Sequence, residues 1–75
     1  MMDYDYELDT FGLSCPVPIL KVKEEFENIP DGSVLKVTAS DDGIIEDLKS
    51  YCKKTGHEFL SYEVNPPEYI VFVKK

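Results

Sequence analysis

The sequence predicts an α/β chain of the α+β two-layer sandwich type. It has a four-stranded mixed sheet with two helices packed on one face, in the order β-α-β-α-β-β. Three observations predict this: apolar residues alternate or cluster in four short segments, they recur at helical spacing in two others, and glycine or proline separates most of the segments. Four strands and two helices are most economically arranged as one sheet and one helix pair. Both helices share a face if the second crossover continues in the direction of the first. At 75 residues and 8.6 kDa the chain admits a single domain, taken as residues 1–75, with a thin core.

Each element has its own signature. Residues 4–10 alternate, with Tyr4, Tyr6 and Leu8 on one side and Asp5, Glu7 and Asp9 on the other, as in a half-buried strand at a sheet edge. Gly12 centres the turn that follows. Cys15-Pro16-Val17-Pro18 then opens a helix, because proline is tolerated in the first turn, where N–H groups have no intrahelical partner. Ile19, Leu20, Val22, Phe26 and Ile29 give its apolar stripe, and Pro30-Asp31-Gly32 ends it near Asn28. Residues 34–39 are rich in β-branched side chains and read as a strand. Ser40 or Asp41 is placed to cap a second helix, with Ile44, Ile45, Leu48, Tyr51 and Cys52 as its buried stripe. Gly56 stops it, after Lys53 and Lys54, which suit a negative helix end. Residues 58–64 and 68–74 are two antiparallel strands joined at Asn65-Pro66-Pro67. Tyr4, Tyr6, Tyr62 and Tyr69 read as sheet residues rather than as a binding platform.

Charge removes some classes of function. Eight lysines against 15 acids give a net charge of −7, and arginine is absent. Nucleic-acid binding begins with neutralising phosphates, so no direct nucleic-acid role is expected. A basic protein surface is the better match to this field, although net charge also simply keeps a small protein soluble. The longest apolar runs are far too short to cross a bilayer, and the acidic start lacks the apolar stretch of a signal peptide. The expected location is the cytoplasm, with no membrane role.

Cys15 and Cys52 do not form a disulfide framework, and with the single His57 they do not make a metal site; no metal or cofactor is expected. Cys15 precedes a helix start, where unpaired donors and the dipole favour a thiolate. From the residues alone it is either a nucleophile or sulfur carrier, or a small hydrophobe at a helix start. Cys52 shares an apolar stripe and reads as packing, His57 as a capping or packing residue, and Asp41 and Asp47 as local caps or solvated charges that could also flank a site.

Leu8-Asp9-x-x-Gly12-Leu13-x-Cys15-Pro16-x-Pro18 resembles the N-terminal signature of the TusA (SirA-like) sulfur-carrier family. The resemblance extends through Asp41, Asp47-Leu48, Tyr51-Cys52 and Gly56-His57. It implies a fold similar to the C-terminal domain of a bacterial translation initiation factor. It also implies that Cys15 accepts sulfane sulfur as a persulfide and relays it, a sulfurtransferase-type role. Asp9, Gly12, Pro16 and Pro18 match the residues that shape the loop. The implied partners are a protein sulfur donor (a cysteine desulfurase or a rhodanese) and a protein acceptor, in tRNA thiolation or other sulfur trafficking. Asp41 and Asp47 are possible partner-binding residues, and a monomer is favoured. Ser14 stands where many members have arginine, Asp42 where proline is common after the aspartate, and Leu48-Lys49 where Ile-Pro is usual. The alternative is a regulatory or assembly module that keeps the motif for its fold.

Overall fold

The computed structural model describes residues 3–14 and 16–75. Six elements follow one another: β1 (Tyr6–Thr10), α1 (Val17–Asn28), β2 (Val34–Ala39), α2 (Ile44–Thr55), β3 (Glu58–Asn65) and β4 (Glu68–Lys74). The strand order is β1-β2-β4-β3, with β1 parallel to β2 and β4 antiparallel to both of its neighbours. Thus β1, β2 and β3 run the same way, and β4 inserts between the last two. Both crossovers progress in one direction across the sheet, the condition for α1 and α2 to share a face. The α+β sandwich expected from the sequence is the fold observed.

The core lies between the sheet and the helix pair. Leu35, Val37 and Ala39 of β2 and Val71 and Val73 of β4 meet Val22 and Phe26 of α1 and Ile44, Leu48 and Cys52 of α2. The period-2 alternation of β2 is complete, since every second residue is fully buried. Phe72 points to the other, helix-free face, yet it is only 1% exposed. The Tyr4 ring stands 6.3 Å from the Phe72 ring. Tyr4 therefore lies before β1, on the opposite face from Leu8, which packs against the core. The regular alternation expected from residue 4 onward starts only at Tyr6.

Two further expectations are corrected. Leu20, placed in the apolar stripe of α1, is 53% exposed; Pro18, Val22 and Phe26 form the buried line at spacing of four. Neither Ser40 nor Asp41 caps α2. Its N-cap is Gly43, with no side-chain cap bond, because both residues are drawn into loop contacts upstream of the helix. The other end matches the sequence reading. Gly56 takes φ 82° and its N–H donates to the Cys52 carbonyl at 2.9 Å, after Lys53 and Lys54 in the last turn. The His57 ring packs 4.4 Å from Phe26, so it serves packing. Among the described residues, no helix is long and apolar enough to cross a membrane.

Candidate functional site

The carboxyl ends of β1 and β2 and the amino ends of α1 and α2 meet at one end of the molecule, and the described candidate residues gather there. Thr10 ends β1 fully buried, its hydroxyl donating to the Thr38 carbonyl at 2.8 Å. The chain then turns tightly. The Leu13 N–H returns to the Thr10 carbonyl at 3.1 Å, with Gly12 third in the turn at φ 89°. A side chain is strained in that conformation, which is why glycine stands there. Asp9 reinforces the turn, its Oδ1 accepting the Phe11 N–H at 2.9 Å.

A second tie crosses between loops. The Gly12 N–H donates to the Ser40 Oγ at 2.8 Å, joining the β1–α1 loop to the β2–α2 loop. Next to it, Asp41 Oδ1 accepts the Gly43 N–H at 2.9 Å. A Cβ on Gly43 would stand 3.4 Å from Asp41 Oδ1 and 3.8 Å from Asp47 Oδ2, so these two carboxylates flank one glycine. The structure thus brings Asp9, Gly12, Asp41 and Asp47 to the same end. Sequence reasoning missed Ser40 as the latch and Thr10 as a buried anchor. A serine before two aspartates reads as a helix cap, and nothing in the sequence separates a cap from a bond to a loop 28 residues upstream.

Cys15 lies outside the described residues. Its flanks are defined: the Val17 N–H donates to the Ser14 carbonyl at 2.9 Å, and the Leu20 N–H to the Pro16 carbonyl at 3.2 Å. Pro16 is the N-cap of α1 and Pro18 sits in its first turn. Proline brings no donor, and the Val17 donor is already used, so the positive end of the helix acts here mainly as a dipole. No acidic residue occupies that first turn, whereas Glu46 and Asp47 occupy the first turn of α2. The positive end of α1 is therefore not neutralised by its own side chains. Cys52 differs in kind: it is 2% exposed, and burial pushes its thiol pKa up, keeping it neutral. Among the described residues, no group of three His, Cys, Asp or Glu side chains could hold a metal ion.

The family model described as Sulfurtransferase TusA matches residues 6–75. The chain belongs to the TusA family. It is 37% identical over 75 residues to the sulfur carrier protein TusA of Allochromatium vinosum, covering 100% of this chain and 99% of that one. It is 31% identical over 71 residues to the sulfur carrier protein TusA of Pseudomonas syringae, covering 95% of this chain and 84% of that one. A putative sulfur carrier protein of Bacillus subtilis, YrkF, is 39% identical over the whole chain, which spans 40% of YrkF. A TusA-type domain thus also occurs as part of a longer protein. The fold has a solved counterpart in a SirA-like protein of Desulfitobacterium hafniense, with a TM-score of 0.80, 21% identity, and 93% and 96% of the two chains covered. A sulfur-carrier role, with protein partners for the transfer, follows from membership of the TusA family.

Proposed function

We propose that Cys15 is the carrier atom of this TusA-family chain, accepting sulfane sulfur as a persulfide and relaying it to a partner protein. The donor is a persulfide-bearing protein of the cysteine desulfurase or rhodanese type, and the acceptor is a second protein thiol serving tRNA thiolation or another branch of sulfur trafficking. The Cys15 thiolate attacks the terminal sulfur of the donor persulfide. The new S–S bond forms as the old one breaks, and the donor cysteine leaves as its thiolate. Delivery repeats the exchange with the acceptor thiolate as nucleophile. Neither step needs an outside oxidant or reductant, since the S–S bond is conserved throughout.

The observation that carries this reading is the local frame of the motif. Pro16 and Pro18 fix the start of α1, the Gly12–Ser40 bond holds the preceding turn, and no carboxylate in the first turn offsets the helix dipole. That frame favours an anion, whether thiolate or persulfide. Asp9, Gly12, Pro16 and Pro18 act by shaping the loop, and Asp41 and Asp47 face the partner. The chain works as one monomeric domain in the cytoplasm, and its net charge of −7 favours partners with a basic docking surface. Intact and peptide mass analysis after exposure to a cysteine desulfurase with cysteine tests the loading step. A gain of about 32 Da, one sulfur atom, is expected on the Cys15 peptide of wild type and of Cys52→Ser, and on no peptide of Cys15→Ser. Loading at Cys52 instead would refute the assignment.

A further inference from the structure

The helix-free face of the sheet carries a groove that sulfur chemistry at Cys15 does not use. It has a volume of about 440 Å³ and is lined by Glu7, Asp9, Lys36, Thr38, Glu68 and Phe11, among others. Among the described residues that line it, three carboxylates thus face a single lysine ammonium. That ammonium is already engaged, with Lys36 Nζ 5.1 Å from the centre of the Tyr4 ring. Among the described residues, no ion pair joins Glu7, Asp9 or Glu68 to a lysine. Glu7 accepts the neutral Tyr4 hydroxyl at 3.2 Å, and Asp9 accepts the Phe11 N–H at 2.9 Å.

Phe11 lines the same groove. It is 48% exposed, and the backbone beneath it is held twice, at its own N–H by Asp9 and at the next by Ser40. An exposed aromatic ring on a held backbone, beside carboxylates that no lysine pairs among the described residues, matches one chemistry closely. A guanidinium stacks its plane on the ring while its N–H groups reach the carboxylates. An ammonium is a compact point charge and uses the ring less well. Anionic surfaces, such as nucleic acid or a lipid bilayer, are repelled by the same groups.

We propose that this groove docks an arginine-bearing segment of a partner protein. The proposal rests on the carrier reading only for the partner's role: Phe11 stands four residues before Cys15 in the sequence, so a segment bound there engages the loop that leads to the carrier position. The binding itself is independent of sulfur, and the test uses the Cys15→Ser protein so that failure of one reading leaves the other standing. The probe is a capped Arg-Ala-Arg-Ala-Arg peptide, with Lys-Ala-Lys-Ala-Lys as its counterpart, followed by two-dimensional amide NMR at low salt. Perturbations are expected at residues 7–11, 36–38 and 68, with the arginine peptide binding more tightly. Glu7→Lys and Glu68→Lys, both at exposed positions, should each raise Kd about three- to fivefold, and Phe11→Ala should erase the preference for arginine. Glu24→Lys, on the exposed surface of α1, should leave Kd nearly unchanged. Perturbations spread over every acidic surface, or a Glu24→Lys effect as large as that of Glu7→Lys, would overturn the proposal.

Discussion

Replacing Gly12 with alanine isolates the contribution of one backbone conformation. At φ 89° an L-residue is strained, yet an added Cβ at Gly12 meets no atom within 4 Å. The cost is therefore conformational, about 1–2 kcal/mol for the left-handed backbone. It is partly offset by about 0.4–1 kcal/mol from the smaller entropy of the unfolded alanine chain. A net loss near 1 kcal/mol corresponds to a fall in Tm of about 4–8 °C in a domain this size. Gly56, at φ 82° and equally uncrowded, should lose the same amount on substitution. The two variants should differ in function. Gly12 is bonded to Ser40 in the turn before Cys15, whereas Gly56 closes α2 at the far end of that helix. Urea unfolding should give equal stability losses with unchanged m, while iodoacetamide labelling of Cys15 should change severalfold in Gly12→Ala only. A loss above about 3 kcal/mol at Gly12 would refute the open-space argument. Identical labelling in both variants would refute the link from turn to cysteine.

Other consequences follow from the same contacts. Leu48→Ala, at a fully buried site of the core cluster, should cost about 2–5 kcal/mol in urea unfolding. Ser40→Ala removes the acceptor of the Gly12 N–H and should cost about 0.5–1.5 kcal/mol, with faster amide exchange at Gly12 as the specific sign. Cys52 has a raised folded pKa, so its contribution is full below the unfolded thiol pKa and is lost as pH rises through the folded value. The urea midpoint should therefore fall with pH above about 8.5, and less steeply in Cys52→Val. Tyr51, also raised by burial and then by the nearby Cys52 and Glu27, adds a decline of the same sign at higher pH that Cys52→Val retains in part.

The helices and the central strands were legible because their patterns are local. Val34–Ala39 and Glu68–Lys74 carry β-branched and aromatic runs, and both helices are bracketed by proline or glycine. Less legible was whatever depended on a partner distant in sequence. Tyr4 fits the alternation of β1 in sequence, yet the buried Phe72 ring draws it to the other face. Leu20 has the spacing of a core residue but lies off the Pro18–Val22–Phe26 line that meets the sheet. Ser40 satisfies every local criterion for a cap, and the tertiary bond to Gly12 takes it instead. At the candidate site, the motif from Asp9 to Pro18 was readable as a string, whereas the latch between the two loops and the groove beside Phe11 required the strand order to bring β1, β2 and β4 side by side.

Delivery of sulfur, more than its acceptance, decides whether Cys15 is a carrier. The protein would be loaded with isotopically labelled persulfide sulfur, separated from its donor, and mixed with an acceptor protein thiol in a single turnover. The label should leave the Cys15 peptide and appear on the acceptor at matching rates, in wild type and in Cys52→Ser alike. Cys15→Ser should neither load nor deliver. If Cys15→Ser still delivered labelled sulfur at the wild-type rate, Cys15 would not be the carrier.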